Sequence, residues 1–130
     1  MSDNLQLALV AADRVVWSGE ATMIIARTTD GEVGVLKNHA PLLSVLVPGE
    51  VEVHTVEGER WSAVINGGFL SVANNRVSIL AEHAEMSNEV DLEKARQDLE
   101  RAKQAGADSP ESEEEVRLAE ARIRVAERDR

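Results

Sequence analysis

Apolar and polar positions along the chain follow two different periods. Between residues 4 and 82 they alternate. Leu5, Leu7 and Leu9 are separated by Gln6 and Ala8, the period of two that puts every second side chain on one face of a strand. Runs rich in β-branched and aliphatic residues follow at Val15–Trp17, Thr22–Arg27, Val33–Leu36, Val51–Thr55, Trp61–Ile65, Phe69–Val72 and Val77–Leu80. Between runs, Glu57-Gly58 and Asn74-Asn75 tolerate the positive φ of tight hairpin turns. This pattern predicts an antiparallel β-sandwich of about ten short strands over residues 1–86.

After Met86 the period lengthens. Leu92, Ala95, Leu99 and Ala102 recur at i, i+3, i+7 and i+10, and Val116, Ala119, Ile123 and Ala126 repeat those spacings. Each set lines one face of an α-helix. Asn88 or Asp91 suits the N-cap of the first helix. Gly106 interrupts the pattern, and Ala107-Asp108-Ser109-Pro110 reads as a turn. Ser109 then suits the second N-cap, with Pro110 at the first helical position and Glu111 to Glu115 beside the positive end of the dipole. Arg122, Arg124, Arg128 and Arg130 gather near the negative end. Residues 87–130 therefore predict a helical hairpin, and the fold class is α+β. Both stripes are narrow and rich in alanine. At about 25 cal/mol per Å² of buried apolar surface they stabilise the hairpin weakly, and helices of this length are marginal alone in water. The hairpin is expected to lean on the sandwich or on a partner, and to exchange between the two.

Composition narrows the functional classes. The formal charge is −10 over 130 residues. Five Lys and Arg face eleven Asp and Glu in residues 1–86, and nine face thirteen in residues 87–130. No basic stripe exists and aromatics are scarce, which argues against nucleic acid as a partner. Without cysteine there are neither disulfides nor thiolate metal sites, as in a reducing compartment. The first residues show no signal peptide, and no apolar run approaches the ~20 residues of a membrane helix. Membrane association is expected only through a partner.

The chain shows no enzyme motif. His39, His54 and His83 have no metal-like partner at i+3 or i+4. Gly67-Gly68 lacks the spacing of a phosphate loop and reads as a strand turn or bulge. The carboxylate pairs Glu50/Glu52 and Glu57/Glu59 read as solvent-facing strand positions. No acid, base and nucleophile converge. One constellation suits a ligand: Asp91, Lys94, Arg101 and Arg122. A folded hairpin is expected to bring them within reach of one small anion, with the cations on phosphates and the carboxylate on a base amine or ribose hydroxyl. The same four are more simply read as charge neighbours on a solvated helix face.

One string carries a resemblance. Gly31-Glu32-Val33-Gly34-Val35-Leu36-Lys37-Asn38-His39-Ala40-Pro41-Leu42-Leu43 leads on to Pro48-Gly49, Gly67-Gly68-Phe69-Leu70-Ser71-Val72 and Leu80-Ala81-Glu82-His83-Ala84. In order and spacing it resembles the epsilon subunits of bacterial F-type ATP synthases over nearly the full length. The resemblance implies a non-catalytic rotor part at the cytoplasmic face of the bacterial cell membrane. It implies a sandwich that grips the gamma subunit and rests on the c-subunit ring, with Glu32, Asn38 and His39 in ring-facing loops. It also implies a hairpin able to extend into the catalytic head of alpha and beta subunits and obstruct ATP hydrolysis. There Arg122, Arg124 and Arg128 are expected to meet acidic residues. No cofactor is required. Some relatives bind regulatory ATP on the folded hairpin. The matching positions here run from Val90 to Ala95, with Lys94 where those relatives have arginine and Leu118 where another arginine is expected. A free-standing soluble module for nucleotide sensing or protein binding is the rival reading. It has no need of the string from Gly31 to Gly49.

Overall fold

The computed structural model describes residues 4–104, 106 and 109–128. The expected turn residues Ala107 and Asp108, and Arg130, lie outside them. Nine strands precede two helices among the described residues: β1 (Leu5–Ala11), β2 (Arg14–Thr28), β3 (Gly31–Leu36), β4 (Leu42–Leu46), β5 (Gly49–Thr55), β6 (Arg60–Ile65), β7 (Gly68–Ala73), β8 (Arg76–Ala81) and β9 (Ala84–Met86). A 3-10 turn at Ser87–Glu89 leads to α1 (Leu92–Gln104) and α2 (Pro110–Arg128).

The strands pair in the order β1-β8-β7-β4-β2-β5-β6-β9, with β3 also on β2 and β1 closing back onto β2. β1 and β8 run parallel; the other pairs are antiparallel. The expected runs Val15–Trp17 and Thr22–Arg27 are one strand of 15 residues. Ser18-Gly19-Glu20-Ala21 contains no turn pair, and its pairing with β1 runs unbroken from Leu5↔Ala21 to Leu9↔Trp17. Two strands have no clear alternation to announce them. β4 is apolar on both faces, with Leu46 buried and Leu43 exposed, and β9 is only three residues long. The two expected hairpin turns are present, with Asn74 and Asn75 both at positive φ (53° and 62°).

The core follows the alternation. Leu5, Leu9, Ile24, Val53, Leu70 and Ile79 are fully buried, each worth roughly 1.5–3 kcal/mol relative to exposure. Trp17 and Trp61 pack on this core with ring centroids 4.9 Å apart and planes tilted by 56°. Gly67 and Gly68, at φ +109° and +148°, mark the expected close approach. A Cβ at Gly68 would stand 2.0 Å from the Leu80 carbonyl oxygen on the adjacent strand.

The helices form as their caps predict. Asp91, not Asn88, caps α1: its Oδ1 accepts the Lys94 N–H at 3.1 Å. Ser109 caps α2, its Oγ accepting the Ser112 N–H at 3.1 Å. The expected seam joins the arms, with Ala95, Ala102, Ala119 and Ala126 buried and Leu92 and Ile123 packed beside them. α2 carries a second stripe that the sequence reading missed. Leu118, Ala121 and Val125, again at i, i+3 and i+7, pack on Val64 of β6. One helix thus serves two interfaces, and the hairpin lies docked on the sandwich.

Gly68→Ala is expected to cost roughly 3 kcal/mol, because the added methyl must push β7 off β8 and adopt a strained φ. Thermal or denaturant unfolding checks this, with a neutral result placing the strand contact in error.

Candidate functional site

The densest polar arrangement lies where α2 meets β5, β6 and β9. Glu50 of β5 has only 16% of its side chain exposed, and Glu52 only 19%. Both were expected to face solvent; they face the hairpin side instead, because β5 lies under α2 and not at an open surface. Arg128 donates to both Glu50 carboxylate oxygens and to Ser62 Oγ at 2.7 Å. Ser62 in turn donates to Glu50 Oε1 at 3.1 Å. Arg124 Nε stands 3.7 Å from Glu50 Oε2, a charge contact without a hydrogen bond. Glu52 is held separately by His54 at 2.8 Å and Arg60 at 3.5 Å.

Arg122 bridges three elements. Its Nε lies 2.8 Å from Glu85 Oε1, although the N–H is not aligned to donate. The hydrogen bond of that pair runs from Nη2 to Oε2 at 3.3 Å. Nη1 donates to Asp98 of α1, also at 3.3 Å. One half-buried guanidinium therefore ties α2 to both the sandwich and α1. At the base of the hairpin, Arg14 of β2 donates to Glu89 at 2.9 and 3.0 Å. Glu89 also accepts the Met86 N–H at 2.9 Å. The hydrogen bond from Arg14, and then that of the Met86 amide, hold the Glu89 carboxyl below its ordinary range.

The expected anion constellation is only half assembled. Arg101 and Arg122 converge on Asp98, each at 3.3 Å, and line a cavity of about 450 Å³ with Glu115, Leu118 and Ala119. Asp91 is occupied as the α1 cap. Lys94 precedes Arg101 by seven residues, roughly 10 Å along the helix axis, and lines no part of this cavity. Asp98, which no spacing in the sequence marks out, is the residue that joins the two arginines.

The expected ring-facing residues are also divided. Glu32 is the second residue of β3, while Asn38 and His39 follow its end. Roughly 13 Å of strand separates Glu32 from Leu36 at about 3.3 Å per residue. The Asn38 loop is held by Asn75. The Asn38 N–H donates to Asn75 Oδ1 at 2.6 Å, and Asn75 Nδ2 donates back to Asn38 Oδ1 at 3.3 Å. His39 Nδ1 lies 2.7 Å from the Ala40 carbonyl, which places its proton on that nitrogen.

Periodicity alone also gave no hint of the outer face of β4, β7 and β8. Val45 pairs with Phe69, and Phe69 with Leu80. Their exposures are 48, 55 and 50%, and Leu43, on the same face of β4, is 76% exposed. A contiguous apolar row on a small acidic domain is the kind of surface that marks a candidate interaction site.

Comparison with known proteins places this arrangement. Residues 4–87 match the family described as "ATP synthase, Delta/Epsilon chain, beta-sandwich domain". Curated relatives named "ATP synthase epsilon chain" include one from Streptomyces avermitilis, 50% identical over 118 residues that cover 91% of this chain and 95% of that one. Another, from Nocardia farcinica, is 46% identical over 125 residues, covering 95% and 91%. Among solved structures, a chain of the Euglena gracilis mitochondrial ATP synthase, in an OSCP/F1/c-ring assembly, aligns with a TM-score of 0.74 at 30% identity, covering 98% of this chain and 79% of that one. A chain from the central stalk and c-ring of the Tetrahymena thermophila mitochondrial enzyme shares the fold, with a TM-score of 0.61 at 16% identity over 97% and 96% of the two chains.

Because its folded pKa is lowered, Glu89 contributes stability that is complete above the ordinary glutamate value of 4.5 and lost as pH falls through the lowered one. The carboxyl ¹³C titration of Glu89 is expected to have its midpoint below that of an unperturbed glutamate and to move back towards it in Arg14→Gln. A midpoint that ignores this variant would remove Arg14 as the cause.

Proposed function

The chain belongs to the family of ATP synthase epsilon chains, and we propose from that premise that it serves as a non-catalytic part of the central rotor, coupling c-ring rotation through gamma to the catalytic head. The observation that carries this reading is the apolar row Val45, Phe69 and Leu80 with Leu43 beside it. A free-standing sensor has no use for such a surface, whereas a stalk subunit must grip a partner through one. Gamma is the occupant this reading assigns to it.

The two ends of β3 then take different neighbours. Glu32 follows Asp30 at an acidic, polar end suited to the polar loops of a c ring. Asn38 and His39 lie between Leu36 and Leu43 in sequence, both more than half exposed, which suits the margin of the gamma-facing surface better. In this reading the chain reaches the cytoplasmic face of the membrane only through the assembled complex.

The hairpin supplies regulation. Arg122, Arg124 and Arg128 are engaged by the sandwich in the docked form. Extended, they present three cations to acidic residues of the alpha and beta subunits, where charge sets orientation and on-rate more than affinity. In this reading the docked form is permissive and the extended form obstructs hydrolysis. Regulatory ATP is a second reading, favoured by the cleft at Arg101 and Arg122. It requires Asp98 to surrender both guanidinium groups to phosphate.

Three measurements test these readings. Phe69→Glu is expected to weaken binding to the cognate alpha-beta-gamma head on the order of 30-fold, the loss of a central apolar anchor; unchanged affinity would refute the assigned surface. Alanine at Arg122, Arg124 and Arg128 together should leave binding intact and relieve inhibition of ATP hydrolysis. Inhibition as strong as that of the native chain would dismiss the arginines. Calorimetry with ATP on the native chain and on Asp98→Asn decides the nucleotide reading: heat that grows in the variant supports it, and no heat in either discards it.

A further inference from the structure

We infer that an ionic latch, with Glu50 and Glu85 as its sandwich half and three α2 arginines as its helix half, holds the hairpin down, and that ionic strength opens it. The apolar share of the contact is slight. Val64, Ala121 and Val125 are its buried members, with Leu118 partly covered. Beside them a cavity of about 570 Å³ remains open between α2 and the strands β2, β3 and β5, lined on its two sides by Arg27 and Glu32 and by Arg117 and Arg124. The surfaces therefore do not interlock on that flank.

The ionic share is larger and better organised. Glu50 and Glu85 keep only 16 and 18% of their side chains exposed, and Arg122 only 14%. Arg128 meets Glu50 with two hydrogen bonds and Ser62 with a third. Arg122 meets Glu85 and Asp98. Arginine forks on half-desolvated carboxylates are stronger than exposed pairs and are oriented by their geometry. Lifting α2 away returns every one of these groups to water, so no buried charge is stranded in the open form. Two self-consistent states with a modest gap between them make a switch.

Salt distinguishes the two possible holding forces by sign. Added salt screens the ion pairs, whereas it does not loosen apolar burial. In the full chain, amide exchange across residues 110–128 is expected to rise about tenfold as NaCl goes from about 0.01 to about 1 M, where the Debye length falls from roughly 30 to 3 Å. Exchange in the β1, β5 and β8 core should stay unchanged. Glu50→Gln should raise α2 exchange about tenfold at low salt and flatten the salt response, as expected for removal of the central carboxylate. Should that variant disturb β5, Arg128→Gln removes the same pairs from the helix side. Exchange in α2 that is indifferent to salt, or slowed by it, overturns the latch, as does native-like protection in both variants. The measurement uses the chain by itself, so its outcome is independent of the rotor role.

Discussion

The hydrogen-bond ladder of β2 is the member on which both halves of this sandwich hang. Its first half pairs with β1, and its second half with β3 and β5 and, at Thr28, with β4. A strand of that length has to serve both layers, and its direction sets where every connecting loop emerges. That is why Glu32 and the Asn38-His39 loop come out at opposite ends of β3, although only a few residues separate them in sequence. It also places Arg27 and the β5 carboxylates along the flank on which α2 comes to rest. Once β2 is laid down, what remains free are the outer face of β4, β7 and β8 and the flank over β5 and β6.

Those two surfaces solve different physical problems. The outer face keeps its apolar row exposed, which is costly in water and makes sense only if a partner covers it. The flank is covered from within by α2, but through charge more than through apolar area. The contact of Leu118, Ala121 and Val125 on Val64 is too small to bind the hairpin irreversibly, and the carboxylates of β5 and β9 provide the remaining attraction. The arginines of α2 are thereby assigned to one partner at a time. Any acidic surface that offers them comparable pairing competes directly with Glu50 and Glu85, which is the chemistry a hairpin passing between sandwich and catalytic head would need.

Much of the fold was legible in local chemistry. Alternation located most core strands, because burying one face of a sheet demands it. Ser109-Pro110 and Asp91 marked the helix starts, because orphan N–H groups at a helix end need an oxygen acceptor. The string around Gly31 to Gly49 was specific enough to indicate the family. What stayed hidden were features that depend on two segments meeting. Asp98 looks like any solvated helix carboxylate until the hairpin closes and Arg122 arrives from the other arm. Glu50 and Glu52 look like exposed strand residues until α2 lies over them. The second stripe of α2 lies on nearly the opposite side of the helix from the first, and it shows as an interface only once β6 lies against it.

By itself, then, the sequence determined the elements, their caps and turns, the acidic character and the family, since each follows from contacts within a few residues or from a linear pattern. Only the tertiary structure decided which charges are partnered, which carboxylates are desolvated and which apolar residues are left uncovered. Those properties belong to pairs of surfaces, and a carboxylate at Glu50 has the same intrinsic chemistry whether it faces water or the guanidinium of Arg128.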